Sequence, residues 1–299
     1  MTPTRFAALR KVQDTPSGRI SYVEQGSGPV ALFVHGFPLN GYHWRHQLEG
    51  LRDIRRCIAP DLMGLGFSEV TTDQSLCFAA QAQMLREFID TLGIAEIDVI
   101  GNDSGGAIAQ ILATQVPDRI RSLTLTNCDV HDNWPPPAFT PLVQLAKAEQ
   151  LGDTLAALLA NPDAARSLRG LGTAFQFPER LADDVLSIYL APIAASAERK
   201  ARIDRYTAAM DHEQTLRIYA DLKRFDKPTL IVWGNDDVFF PERWAHWLAD
   251  TIPGVRKVEI LNAARLFFPE ERADEFNGLL RAHWLATEPR PASTATLTA

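Results

Sequence analysis

Apolar residues along this chain fall into two kinds of run. Short unbroken ones, such as Val30-Ala31-Leu32-Phe33-Val34, suit strands buried on both faces, whereas Phe276, Leu279, Leu280 and Trp284 recur at helical spacing. Strands are expected at residues 8–13, 19–25, 29–34, 56–59, 97–102, 120–126, 228–233 and 255–261, with Thr15-Pro16-Ser17-Gly18 as the turn joining the first two. Helical patterns occupy 42–51, 74–92, the stretch from Ala107, 212–223, 241–251 and 270–285. The alternation stops between Trp134 and Tyr206, where Pro135, Pro136 and Pro137 lead into Ala- and Leu-rich helical patterns without a strand. These patterns divide the chain into a first core segment (1–133), a helical insertion (134–206), a second core segment (207–286) and a disordered tail (287–299) rich in Pro, Ser and Thr. Strands alternating with helices predict an α/β fold. Its sheet is mostly parallel and eight-stranded, covered by helices on both faces, with ligand sites at the carboxyl ends of the strands.

One junction stands out. The apolar run ending at Ile100 passes through Gly101-Asn102-Asp103-Ser104-Gly105-Gly106 directly into an Ala-rich helical pattern. A sharp strand-to-helix turn of this kind holds one side chain at its tip in a strained conformation, and small residues two before and two after let the neighbouring backbones approach. Asp103 occupies the tip in this register. In the other register, Asn102-x-Ser104-x-Gly106, Ser104 would be the nucleophile. A Gly-rich turn with no catalytic duty is the third reading.

Composition narrows the classes of function. The 299 residues are 46% hydrophobic, enough to bury a large core, and the formal charge of −7 has no basic clustering of the kind nucleic acid requires. No apolar run reaches membrane-spanning length, and Met1 to Arg10 lacks the apolar centre of a signal peptide, so a cytoplasmic protein with no membrane partner is expected. Cys57, Cys77 and Cys128 have no metal-like spacing and read as buried thiols. Nothing suggests a metal site or an organic cofactor. A small-molecule substrate and a monomer or homodimer are expected.

Four motifs in order carry a family resemblance: His35-Gly36-Phe37-Pro38 after the third strand, Asp61-Leu62-Met63-Gly64-Leu65-Gly66-Phe67-Ser68 after the fourth, Gly101-x-Asp103-x-Gly105 after the fifth, and Trp233-Gly234-x-x-Asp237 after the seventh. Together they resemble the α/β-hydrolase fold, with the helical insertion in the place of its cap. The aspartate at the elbow is most similar to the branch of haloalkane dehalogenases, fluoroacetate dehalogenases and epoxide hydrolases. That resemblance implies a carboxylate that attacks carbon and an ester hydrolysed by water activated by a His paired with an acid. It also implies an oxyanion hole from the backbone N–H groups of Phe37 and Ser104, and an acid at Asp237 or Asp129. His35 and Asp61 fit structural roles in their own turns. Trp134 stands at the hinge of the insertion, where it is expected to border the substrate. Tyr189 and Tyr206 correspond to cap tyrosines able to protonate an epoxide oxygen.

The sequence departs from this pattern at one decisive place. After the eighth strand, where the family carries its histidine, stands Ala263-Ala264-Arg265-Leu266-Phe267-Phe268-Pro269-Glu270-Glu271, so Leu266 takes that position and joins the expected substrate-binding residues. Leucine cannot accept a proton, and general-base catalysis is worth about 10²- to 10⁴-fold. His131, two residues beyond Asp129, is the candidate replacement. Ser104 also stands where haloalkane dehalogenases have a halide-binding Trp, while His-Gly-Phe-Pro is closer to epoxide hydrolases. Three functions are consistent with these residues. One is an Asp-nucleophile hydrolase of a small apolar halide, epoxide or ester with atypical or weakened hydrolysis. Another is a lyase, isomerase or cofactor-free oxygenase using Asp103 as acid or base. The last is a ligand-binding pseudoenzyme.

Overall fold

A computed structural model of the protein describes residues 1–287. The expected tail lies outside the described residues except for Thr287, which ends the last helix, Ala273–Thr287. Eight strands form one sheet: β1 (Lys11–Thr15), β2 (Gly18–Gln25), β3 (Val30–Val34), β4 (Arg56–Pro60), β5 (Ile97–Asp103), β6 (Ile120–Cys128), β7 (Thr229–Gly234) and β8 (Val255–Leu261). Their spatial order is β1-β2-β4-β3-β5-β6-β7-β8. β2 pairs antiparallel with β1 and β4, and all other pairs are parallel.

β3, β5 and β7 are buried along their whole length, as central strands are when helices cover both faces of a sheet. β3 has β4 on one side and β5 on the other, so the chain reverses direction across the sheet at this point. Loops leaving the carboxyl ends of β3 and β5 diverge there and leave a crevice. It lies beside the tip of β5.

Several expected boundaries shift. Residues 8–9 belong to a helix, Pro3–Leu9, rather than to the first strand, because Thr2 caps it by accepting a hydrogen bond from the Arg5 N–H at 3.3 Å, with Pro3 in the first turn. The expected helix at 212–223 divides at Ile218 into Glu213–Arg217 and Tyr219–Leu222. The helix expected from Glu270 divides at Arg272, and its first piece, Phe268–Glu271, is tied to the insertion by Glu271, which accepts the N–H groups of Gln176 and Phe177 at 2.8 Å each.

Between β6 and β7 the described chain forms helices and no strand, from Thr140–Lys147 to Ala197–Ala208, so the last of these helices runs two residues past Tyr206. A buried polar clamp joins this insertion to the sheet domain. Tyr189, on the insertion helix Asp183–Ala194, donates its hydroxyl to Glu270 at 2.6 Å, and Arg45 meets the other oxygen of Glu270 at 2.6 Å. Burial opposes ionisation of Glu270, but the adjacent Arg45 guanidinium holds its carboxyl well below the usual range. No helix among the described residues is long and apolar enough to cross a membrane.

Candidate active site

Asp103 ends β5 with φ 56° and ψ −135°, and the helix Ser104–Gln115 begins at the next residue. A positive φ at a residue with a side chain carries backbone strain, which the packed elbow must compensate. Close packing here depends on Gly101, since a Cβ at that position would lie 2.6 Å from the Gly105 carbonyl oxygen and 2.7 Å from the Gly106 Cα. A Cβ on Gly36 would likewise collide with the Asp103 carboxylate. The loop after β3 therefore lies against the elbow, and the backbone N–H groups of Phe37 and Ser104 both donate to the Asp103 carboxylate. Asp103 is thus the tip residue. Ser104 is fully buried at the first position of the helix, with its hydroxyl 2.9 Å from the Tyr206 hydroxyl, so it does not occupy the tip.

The crevice holds a cavity of about 120 Å³. Its wall is largely apolar, with Phe37, Leu155, Phe239, Leu266 and Phe267 among the lining residues, and Asp103 and Asp129 reach it as well. Asp129 follows β6 directly, and its backbone N–H donates to the Asp103 carbonyl at 3.4 Å. It is 2% exposed, and its Oδ1 is buried without a hydrogen-bond partner among the described residues. Asp237 lies after β7. Its Oδ2 accepts from Asn127 Nδ2 and its Oδ1 from the Phe239 N–H, each at 2.8 Å.

Burial dominates the electrostatics. It pushes the Asp103 and Asp129 carboxyls well above their ordinary range, with the negative charge of Asp237 adding to the shift of Asp103 and that of Asp103 to the shift of Asp129. Asp237 is pushed up to about 7, mainly by burial and against the hydrogen bonds it accepts. Two adjacent buried carboxyls cannot both ionise cheaply, so Asp103 and Asp129 titrate as a pair. No group of three or more His, Cys, Asp or Glu side chains among the described residues is arranged to hold a metal ion.

Leu266 is 4% exposed and presents its side chain to the cavity. Its carbonyl is fixed by Asn102 Nδ2 at 3.0 Å, an amide that also reaches Thr126 Oγ1 at 2.8 Å and the Asn127 carbonyl at 3.3 Å. Sequence reading did not single out Asn102 or Asn127 as structural groups. Their only signal was a polar residue at the end of an apolar strand. Asn127 spans β6 and β7 by donating to the Gly234 carbonyl at 2.9 Å and accepting its N–H at 2.7 Å, besides holding Asp237.

Three expected site residues lie elsewhere. His131 is not among the cavity-lining residues. Its ring packs against Tyr219 and Trp247, its Nδ1 is 3.4 Å from Asp132, and its backbone has φ 51°. Trp134 does not line the cavity either; it is buried and stacked on Phe78 at 3.8 Å between ring centroids, while Pro136 borders the cavity instead. Tyr189 spends its hydroxyl on Glu270 in the clamp described above, which leaves Tyr206 as the cap tyrosine nearest the elbow.

The two expected structural residues sit in their own turns. His35 Nδ1 pairs with the Gly36 carbonyl at 2.9 Å and Nε2 accepts the Leu62 N–H at 3.0 Å, a neutral ring whose pKa burial lowers to about 3. Asp61 accepts the N–H groups of Gly41 at 2.8 Å and Phe67 at 2.9 Å.

Comparison with known proteins agrees with this geometry. Residues 29–272 match the alpha/beta hydrolase fold family. Haloalkane dehalogenase 2 of Mycobacterium tuberculosis is 31% identical over 266 residues, covering 87% of this chain and 90% of that protein. A cis-3-alkyl-4-alkyloxetan-2-one decarboxylase of Shewanella oneidensis is 24% identical, covering 99% of this chain and 96% of that protein. Among solved structures, that of the epoxide hydrolase CorEH superposes with a TM-score of 0.77 at 19% identity, covering 93% of this chain and 99% of that one. Sheet order, elbow and sequence similarity together place the chain in one family: it belongs to the alpha/beta hydrolase fold.

Proposed function

We propose that the protein is an Asp-nucleophile enzyme acting on a small, largely apolar halide, epoxide or ester, with weakened hydrolysis of the covalent intermediate. One observation carries this reading: Asp103 stands at a strained elbow, faces an apolar cavity, and receives the Phe37 and Ser104 N–H groups on its carboxylate. With these donors on it, the ionised Asp103 carboxylate is the group that attacks carbon. When water later attacks the ester carbonyl, the same two N–H groups stabilise the developing oxyanion. The helical insertion covers the site as a cap and supplies part of the apolar wall through Leu155 and Leu158.

What the site lacks is a water activator. The Asp237 oxygens are taken up by Asn127 and the Phe239 N–H, and Leu266 presents only an apolar side chain to the cavity. The ester at Asp103 therefore accumulates. Intact-protein mass spectrometry after incubation with 1-iodohexane is expected to find a stable hexyl adduct, localised to Asp103 by peptide mapping and absent from Asp103→Ala. Turnover that survives Asp103→Ala would overturn a covalent role.

A second reading is favoured by the same Leu266 and by the similarity to a decarboxylase along nearly the whole chain. In it Asp103 works as an acid or base in a lyase, and no ester needs water. Absence of an adduct with every alkylating reagent, together with loss of activity in Asp103→Ala, is the outcome that would favour it.

A further inference from the structure

Asp129 is a buried acid that the nucleophile and its oxyanion hole do not explain. Its neighbour Asp103 accepts two backbone N–H groups, which stabilise the anion, whereas Asp129 accepts no hydrogen bond on its carboxyl among the described residues. When one proton is shared between two such carboxyls, the undonated one keeps it. The charged and titratable groups around Asp129 are Asp103 from the elbow, Cys128 on its own strand and Tyr206 from the insertion, with Asp237 acting on Asp103 from beyond β7.

The hydroxyl groups that line the cavity are already committed. Thr154 donates its hydroxyl to the Gln150 carbonyl at 2.8 Å and Thr173 donates to the Leu168 carbonyl. The Tyr206 hydroxyl pairs with Ser104 outside the cavity lining, and Arg169 is an exposed residue of the wall. Among the described residues lining the cavity, Asp129 is the acid beside the nucleophile whose Oδ1 is buried with no hydrogen-bond partner.

We infer that Asp129 is the general acid of this site and that the natural electrophile is a strained cyclic oxygen compound such as an epoxide, rather than a halide. This rests on the Asp-nucleophile reading above. The Asp103 carboxylate forms a bond to a ring carbon, the ring C–O bond breaks, and its electron pair takes the proton of Asp129. The products are a hydroxyalkyl ester of Asp103 and an Asp129 carboxylate. Hydrolysis of the ester later releases one proton, which restores Asp129. A departing halide leaves as a stable anion and needs no such proton.

The test compares labelling rates of wild type and Asp129→Asn by 1,2-epoxyhexane and by 1-iodohexane, read by intact mass. Any change in the ionisation of Asp103 affects both reagents alike, so the epoxide-to-iodide ratio isolates the proton donor. The ratio is expected to fall about 10²- to 10⁴-fold in Asp129→Asn. In wild type, epoxide labelling is expected to be bell-shaped in pH, falling once the pair loses its second proton, while iodide labelling rises to a plateau. An unchanged ratio together with a superimposable pH profile would overturn the role of Asp129 while leaving the nucleophile in place. Absence of an Asp103 adduct from either reagent in wild type would instead overturn the nucleophile and this inference with it.

Discussion

Leu266 presents its side chain to the nucleophile's cavity, and its loop is tied to the one that carries Asp237 by the Asp236 N–H, which donates to the Ala264 carbonyl at 3.0 Å. Its backbone is held by Asn102 independently of its side chain, so a histidine introduced there starts from a fixed Cα. Leu266→His is expected to speed breakdown of a preformed Asp103 ester by about 10²- to 10⁴-fold. Decay of the adduct mass after removal of excess reagent measures this, and an unchanged decay rate would mean that more than the base is missing. The leucine itself was legible in the sequence because the residues around it keep the motif. His131 as its replacement was not: two residues of separation from Asp129 suggested a place near the crevice, but tertiary packing sets its ring against Tyr219 and Trp247.

The elements that meet around Glu270 show how the insertion is fastened to the sheet domain. Tyr189 comes from an insertion helix, Arg45 from the helix after β3 and Glu270 from the short helix Phe268–Glu271 after β8, and all three side chains are buried. A hydrogen bond to a charged, buried carboxylate is worth about 1.5–3 kcal/mol. Tyr189→Phe is therefore expected to lower unfolding free energy by about that amount, measured by urea denaturation. Its labelling by 1,2-epoxyhexane should stay at the wild-type rate, and a selective loss there would restore Tyr189 to the chemistry. Strand and helix existence followed from apolar spacing, whereas helix ends moved wherever a cap or a tertiary bond intervened. Thr2 created an N-terminal helix, and contacts of Glu271 with the insertion accompany a break in the last one.

At the scale of the whole molecule, buried ionisable groups make stability depend on pH with a definite sign. His35 and His46 are lowered by burial to about 3 and about 4, so the unfolded chain binds more protons below the ordinary histidine value of about 6.5, and these groups add stability as pH rises to that point. Asp103, Asp129 and Asp237 are raised, the last to about 7, so the folded chain holds protons that the unfolded chain has already lost. Their effect is opposite, and above about pH 6.5 the histidines no longer offset it. Stability is expected to fall between pH 6.5 and pH 8, by up to about 1.4 kcal/mol per pH unit for each fully titrating group. Urea midpoints across this range should decline in wild type and flatten in the Asp129→Asn, Asp237→Asn double variant. A midpoint that rises with pH in wild type would contradict the raised carboxyls.

By itself the sequence determined the strand and helix alternation, the helical insertion, the elbow with an acid at its centre and the leucine after the eighth strand. All of these reside in local spacing: apolar period, turn residues and motif order are properties of short stretches of chain. Tertiary structure decided which side chains share a cavity. Asp103 and Asp129 share one because β5 and β6 are neighbours and end together, and Leu266 reaches it through the loop after β8. The same packing turned Trp134 onto Phe78 and Tyr189 onto Glu270. Among the described residues it also left Asp129 Oδ1 without a hydrogen-bond partner, while the Asp103 carboxylate has the Phe37 and Ser104 N–H groups.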